Sequence, residues 1–161
     1  ANRANADLFI CIHANSMPGG KATGTETYVM GLHKDESNFQ VAKRENSVML
    51  LEDNYTDHYD GFDPNSTEGY IIISMYQSAH LHQSIDFASM VDNEFSSRVQ
   101  RRSRGVHQAG FMVLYRTTMP SVLVECGFMS NTEECGKLCD PEYQASIAKG
   151  IARGIDLYIT Q

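Results

Sequence analysis

Apolar and polar positions fall along this chain in blocks that predict strands and helices in turn. Residues 7–12 are almost continuously apolar (Leu8, Phe9, Ile10, Cys11, Ile12), the pattern of a fully buried strand in a sheet covered on both faces. A turn-rich loop, "MPGGKATG" at 17–24, leads into a short strand, "TETYVM" at 25–30. Over 36–52 the spacing becomes helical, with Phe39, Val41, Ala42, Val48, Leu50 and Leu51 available for one stripe. The next stretch, "EDNYTDHYDGFDPNST" at 52–67, is acidic, aromatic and full of turn formers. It predicts a loop of the length usually found in lids or regulatory segments. Helical periodicity returns at about 78–102, where Leu81, Ile85, Ala88, Val91, Phe95 and Val99 recur at three- and four-residue steps, with Gly105 placed to stop the helix. "FMVLYR" at 111–116 and "SVLVEC" at 121–126 predict two more buried strands separated by a turn at Pro120. The final helix opens with Asp140 as N-cap and Pro141 in the first position, and Tyr143, Ile147, Ile151 and Ile155 step down one face. Strands interleaved with helices predict a single α/β domain, a mostly parallel sheet flanked by helices on both faces.

Composition narrows the class of function. At 161 residues, 42% hydrophobic and 20% charged, the chain is of ordinary globular make-up and large enough to bury a core. A net charge of −7 argues against nucleic acid as a partner, because phosphate binding needs clustered Lys and Arg. No apolar run is long enough for a transmembrane segment, and "ANRANAD" does not read as a signal peptide. The charge is unevenly placed. Between Arg44 and Arg98 there is no Lys or Arg, while ten of the twenty Asp and Glu fall in that interval, as in a solvated acidic face. Arg98, Arg101, Arg102 and Arg104 crowd the predicted end of the long helix, where cations suit its negative pole; contact with an anionic polymer is the other reading. Of four cysteines, Cys11 and Cys126 fall in predicted strands, and Cys135 and Cys139 lie four apart without a second ligand pair for a metal.

Two strand ends carry the candidate chemistry. "DLFICIHANS" finishes a buried run on His13, and "PSVLVECGFMSN" finishes another on Glu125. In open α/β sheets ligands bind beyond the carboxyl ends of strands. A lone histidine there is either a hydrogen-bonded structural residue or a ligand. A carboxylate left at the end of "SVLV" costs several kcal/mol unless paired, hydrogen-bonded or near a cation, and a metal ion is one such compensator. Cys126, one residue past Glu125, should face the opposite side of the strand, which argues against a cysteine nucleophile with His13 as its base.

"ADLFICIHAN" followed by "PSVLVECGFMSN", with "GVHQAGFMVLYR" and the terminal "IAKGIARGIDLYI", resembles the zinc-dependent N-acetylmuramoyl-L-alanine amidases of bacterial cell-wall turnover. The resemblance runs over essentially the whole of residues 1–161. It implies a peptidoglycan hydrolase that cuts between the lactyl group of N-acetylmuramic acid and the L-alanine of the stem peptide. His13 would be a Zn2+ ligand, and Glu125 the acid/base that moves a proton from water to the departing amine. The family draws two further ligands, a His and a Glu, from a strand and helix preceding the part matched here. The resemblance therefore implies that this chain is the C-terminal portion of an amidase domain. His33, His58 and His107 are not promoted to fill those places, and Glu26 in "GTETY" is a weak candidate. Asn15 and Asn131 are expected to hold their loops by turn hydrogen bonds, substrate contact being the lesser expectation.

The interval between the two motifs is long for the family. It resembles the subclass that separates daughter cells, where an inserted helix covers the zinc until an activator protein displaces it. Residues 40–77 correspond to that inserted regulatory segment. Within "AKRENSVMLLED", Glu45 is the first choice for a carboxylate that occupies the zinc in place of substrate, and Glu52 the second; an amphipathic helix with exposed carboxylates is the plainer alternative. The implied location is periplasmic or extracellular. The competing function is a non-catalytic peptidoglycan-binding or regulatory module that kept the amidase fold.

Overall fold

Four strands build the sheet: β1 (Phe9–Asn15), β2 (Thr25–Met30), β3 (Ser103–Ala109) and β4 (Ser121–Phe128), in the order β1-β4-β2-β3. The computed structural model describes residues 1–59, 61–74 and 79–161. β1 runs parallel to β4 and β2 parallel to β3, while β2 and β4 are antiparallel, so the sheet is mostly parallel as expected. The helices are α1 (Glu36–Asn46), α2 (Tyr55–His58), α3 (Thr67–Ser74), α4 (Leu81–Ser97), α5 (Thr132–Leu138) and α6 (Pro141–Ile159).

Side-chain alternation divides the strands between two cores. Leu8, Ile10, Val29, Val122, Val124 and Cys126 pack with Phe87, Val91 and Phe95 of α4 and Ile147 and Ile151 of α6. Phe9, Cys11, Tyr28, Met30 and Leu123 pack on the other face with Val41 and Ala42 of α1, Tyr70 and Ile73 of α3, and Phe111 and Leu114. The continuous apolar runs of β1 and β4 have their cause here, since successive residues feed opposite cores. Helices α4 and α6 approach so closely that a Cβ on Gly154 would lie 2.8 Å from the Val91 side chain. The N-caps form as the sequence predicts: Asp140 accepts from the Glu142 amide at the start of α6, and Asn131 accepts from the Glu133 and Glu134 amides at the start of α5.

Several expectations are corrected. β1 is an edge strand among the described residues, not a fully buried one; Ile12 is 61% exposed and borders a groove of about 490 Å³ between β1, α5 and α6. The helix predicted over 36–52 stops at Asn46 and tightens into a 3-10 turn over Ser47–Leu51. The loop predicted over 52–67 contains α2 and leads into α3. The predicted start of the long helix at about 78 and the last part of the inserted segment, 75–77, lie outside the described residues. That helix ends at Ser97 rather than 102, and the chain turns at Gln100 with φ of 55°. Residues 103–109 are then a strand, with Gly105 inside it, and the strand expected over 111–116 is instead a 3-10 turn at Met112–Leu114. Apolar content misleads at both places. "SRGVHQA" is an edge strand among the described residues and carries polar groups, whereas "FMVLY" buries Phe111, Met112 and Leu114 around a 3-10 turn and leaves Val113 exposed.

The arginines do not serve the helix pole as a group. Arg98 pairs with Glu94, Arg104 with Glu26, and Arg101 donates to both oxygens of Glu134 at 2.5 and 2.6 Å. Glu134 is 2% exposed and also accepts from the Gly24 amide, so this ion pair ties α5 to the chain entering β2 and β3. Breaking a buried pair leaves an uncompensated charge. Glu134→Ala should therefore cost roughly 3–5 kcal/mol, read as a lower urea midpoint; a loss under about 0.5 kcal/mol would show the pair to be energetically neutral.

Candidate active site

The register of β1 on β4 brings His13 and Glu125 together. The two residues are direct partners in the parallel ladder, and both share the sheet face that carries Cys11 and Leu123. On the other side of β4, antiparallel pairing sets Glu26 of β2 opposite Glu125. Three neighbouring strands thus present His13, Glu125 and Glu26 in a row. Both motif residues lie within strands rather than just past their ends. Between His13 and Asn15 the register slips, so that Asn15 pairs with Phe128.

Helix α1 crosses over this row. Its N-cap, Asp35, accepts from the Asn38 amide, and its last turn delivers Arg44, Glu45 and Asn46 to the site. Glu45 Oε2 lies 2.7 Å from His13 Nδ1. Arg44 Nη2 donates to Asn15 Oδ1 at 2.6 Å. Asn46 is buried and clamps the helix end in both directions, donating to the Gly110 carbonyl and accepting from the Met112 amide, each at 2.8 Å. Below the helix end a cavity of about 230 Å³ is bounded by His13, Glu45, Val48, Tyr59, Met112 and Val113.

The two carboxylates of the row differ sharply. Glu26 is satisfied, accepting from Asn15 Nδ2 at 2.8 Å, Tyr28 Oη at 3.0 Å and Arg104 Nε at 2.6 Å. Glu125 is fully buried, and neither of its oxygens has a hydrogen-bond partner. Burial, then the charge of Glu45, push its pKa up to about 8, with Glu26 adding and His13 and Arg44 opposing. Cys11, two residues back on the same face, and Glu45 raise the His13 imidazolium to about 10 against the opposite effect of burial.

This arrangement fits a metal ion. One ligand atom each from His13, Glu45 and Glu125 lie within 4.8 Å of one another, the one such group among the described residues. An orphaned buried carboxylate beside an imidazole is the environment a divalent cation would compensate. Imidazole and carboxylate are both ordinary zinc donors.

Other sequence candidates lie elsewhere. His33 packs on Phe39, His58 is in α2, and His107 bonds the Arg104 carbonyl in β3. Glu52 borders the cavity but accepts from Tyr59 Oη, leaving Glu45 as the carboxylate on His13. Cys126 points into the opposite core, where burial raises its thiol to about 12, and all four cysteines are free. Asn131 caps a helix, while Asn15 bridges side chains inside the site. Arg44, Asn46, Tyr28 and Arg104 were not legible as site residues. Nothing in their spacing distinguishes them from a solvated helix face or a strand core.

Comparison with known proteins identifies the family and the fold. Residues 1–157 match the Amidase_3 family, N-acetylmuramoyl-L-alanine amidase. The chain is 30% identical over 166 residues to the N-acetylmuramoyl-L-alanine amidase AmiC of Escherichia coli O6:H1, covering 98% of this chain and 37% of that protein. The crystal structure of N-acetylmuramoyl-L-alanine amidase from Clostridium difficile 630 shares the fold with a TM-score of 0.64 at 25% identity, covering 99% of this chain and 61% of that one. The amidase AmiC2 of Nostoc punctiforme gives a TM-score of 0.61 at 26% identity, over 100% of this chain and 62% of that one. The chain spans 37% to 55% of the length of the first curated relatives it matches. With the family match extending over all but the last four residues, and with the same fold in solved relatives, this chain belongs to the Amidase_3 family of N-acetylmuramoyl-L-alanine amidases.

Proposed function

We propose that this chain carries the catalytic site of a zinc-dependent peptidoglycan amidase held shut by its own inserted helix. The reaction is hydrolysis of the amide between N-acetylmuramic acid and the L-alanine of the stem peptide, outside the cytoplasm, in the wall. The observation that carries the reading is Glu125: a buried carboxylate with no partner, in register with His13, beneath a helix whose Glu45 already sits on that imidazole.

His13 would hold the zinc, and in the closed arrangement Glu45 would take a position beside it. When bound, zinc supplies a Lewis acid that polarises the amide carbonyl and makes water acidic enough to attack near neutral pH. Glu125 does the proton work. Its free oxygens accept the proton of the attacking water and pass it to the departing nitrogen, and burial, which favours the neutral acid, assists the return of that proton to the carboxylate. Glu26, tied to Arg104, Tyr28 and Asn15, is already engaged and leaves that task to Glu125.

Closure follows from α1. Glu45 on His13, Arg44 on Asn15 and Asn46 on the 110–112 backbone hold the helix over the row of site residues, where substrate must lie. An activator that binds the inserted segment 40–77 and draws it aside would open the site. This arrangement supports placing the chain in the daughter-cell-separation subclass.

Glu125→Gln in the full-length protein should lower hydrolysis of purified wall by about 10²–10⁴-fold while zinc content stays unchanged; a retained rate would remove Glu125 from the proton transfer. Glu45→Ala should raise basal activity on the order of tenfold, equivalent to about 1.4 kcal/mol of closure. An unchanged rate at equal zinc content would mean that Glu45 does not block the site. Wall binding without cutting by the Glu45→Ala protein would favour the non-catalytic module. The pKa of Glu125 predicts a further effect in the metal-free protein. Burial raises it from 4.5 to about 8, so the folded chain keeps a proton that the unfolded chain releases. The stability this contributes is full below pH 4.5 and is lost as pH rises through about 8. Glu125→Gln should therefore be more stable than the parent at about pH 9, with the difference vanishing near pH 4, as urea melts at the two pH values would read.

A further inference from the structure

Asn15 is fully buried, and its amide is turned in one direction by chemistry on both sides. Nδ2 donates to the Glu26 carboxylate at 2.8 Å, which can only accept if ionised. Oδ1 receives the Ser16 amide at 2.7 Å and Arg44 Nη2 at 2.6 Å, which can only donate. Exchanging the two ends of the amide would set donor against donor and oxygen against oxygen. Glu26 is itself anchored by Arg104 and Tyr28, so the orientation does not depend on α1.

Two of these bonds belong to the sheet and its loops, but the third comes from the inserted helix. When α1 leaves, Glu26 and Ser16 still hold Asn15, while Oδ1 loses the Arg44 guanidinium. The oxygen then keeps the Ser16 amide and has its second lone pair open to another N–H. The position is also a particular one. Asn15 lies two residues beyond His13 on the strand, and Arg44 lies next to Glu45 on the helix. The closed helix therefore places an acceptor group on His13 and a donor group on Asn15 from consecutive residues. A peptide amide likewise carries its acceptor oxygen and its donor N–H on adjacent atoms.

Building on the amidase reading above, we infer that Asn15 is a substrate-binding residue whose Oδ1 receives the N–H of the amide being cut, and that Arg44 occupies this position in the closed state. The bond turns the nitrogen so that its developing lone pair is left free for the proton on Glu125. No bond is made or broken at Asn15. Its contribution is orientation, together with discrimination in favour of an amide over an ester at the same place, because an ester oxygen has no hydrogen to donate.

The test uses the full-length, zinc-loaded protein carrying Glu45→Ala to open the site and Glu125→Gln to stop turnover. The probes are an N-acetylmuramoyl-L-alanyl peptide and its depsi analogue, in which an ester oxygen replaces the scissile N–H. Dissociation constants are measured for both. Asn15→Ala should weaken binding of the amide about tenfold and leave the ester unchanged. The same change should appear in the amide-to-ester ratio of kcat/KM when Glu125 is restored. Either ratio is independent of the fraction of protein that folds, and Asn15→Leu, closer to asparagine in volume, repeats the measurement if the alanine variant is insoluble. Equal losses for the two probes would show that Asn15 only shapes the loop, or that water takes the Arg44 position, and would overturn the inference while leaving the amidase intact. If the Glu45→Ala parent neither binds nor cuts the amide probe, the amidase reading falls and this inference with it.

Discussion

A carboxyl group buried without a hydrogen-bond partner is costly to ionise, and the site is organised around one. Glu125 sits in the central part of the sheet with neither oxygen satisfied, while Glu26, Glu45 and Arg44 near it each hold at least one partner. Glu26 across the ladder has Arg104, Asn15 and Tyr28; Glu45 has His13; Arg44 has Asn15. Such a deficit persists only where the surrounding fold over-determines it. Here two packed cores, one on each face of the sheet, hold β4 rigidly between β1 and β2. On the proposed reading the missing partner is supplied by the reaction itself, by zinc and by the water and amine that exchange a proton with the carboxylate.

Helix α1 leaves that deficit standing, since none of its side chains bonds Glu125 and the charge of Glu45 adds to it. Its last turn brings a carboxylate, a guanidinium and an amide to three different anchors within three consecutive residues. On the proposed reading two of the anchors, His13 and Asn15, are groups that substrate would otherwise engage; the third is the backbone around 110–112. On that reading the closed state gains stability from groups that would otherwise lose these partners. Val48, Leu50 and Leu51 of the 3-10 turn that follows are exposed, while Met49 is buried and joins Phe62, Tyr70 and Ile73 in the core on that face of the sheet.

The site's two halves were legible in the sequence to different degrees. A histidine and a glutamate at the ends of unbroken apolar runs are visible because strands feeding two cores have no other reason to end on such groups. The N-caps at Asn131 and Asp140 and the period of α6 are equally local, and they form where the pattern puts them. The strand at Ser103–Ala109 was not visible, because an edge strand with one partner tolerates Arg, His and Gln where a central one would not. Phe111, Met112 and Leu114, in a run apolar enough for a strand, gain their burial around a 3-10 turn beneath α1 and α3.

Local chemistry, then, was determined by the sequence alone: the alternation of strands and helices, the caps, and the identity of His13 and Glu125 as residues out of place in apolar runs. The tertiary structure decided which groups meet. The parallel register of β1 on β4 sets His13 beside Glu125, the antiparallel register of β2 sets Glu26 across from it, and the crossing of α1 sets Glu45 and Arg44 above them. Periodicity reports which face a side chain takes within its own element. It carries no information about the neighbour that the element will pair with or the offset of that pairing. Those depend on packing energies shared among residues from about thirty to more than a hundred positions apart.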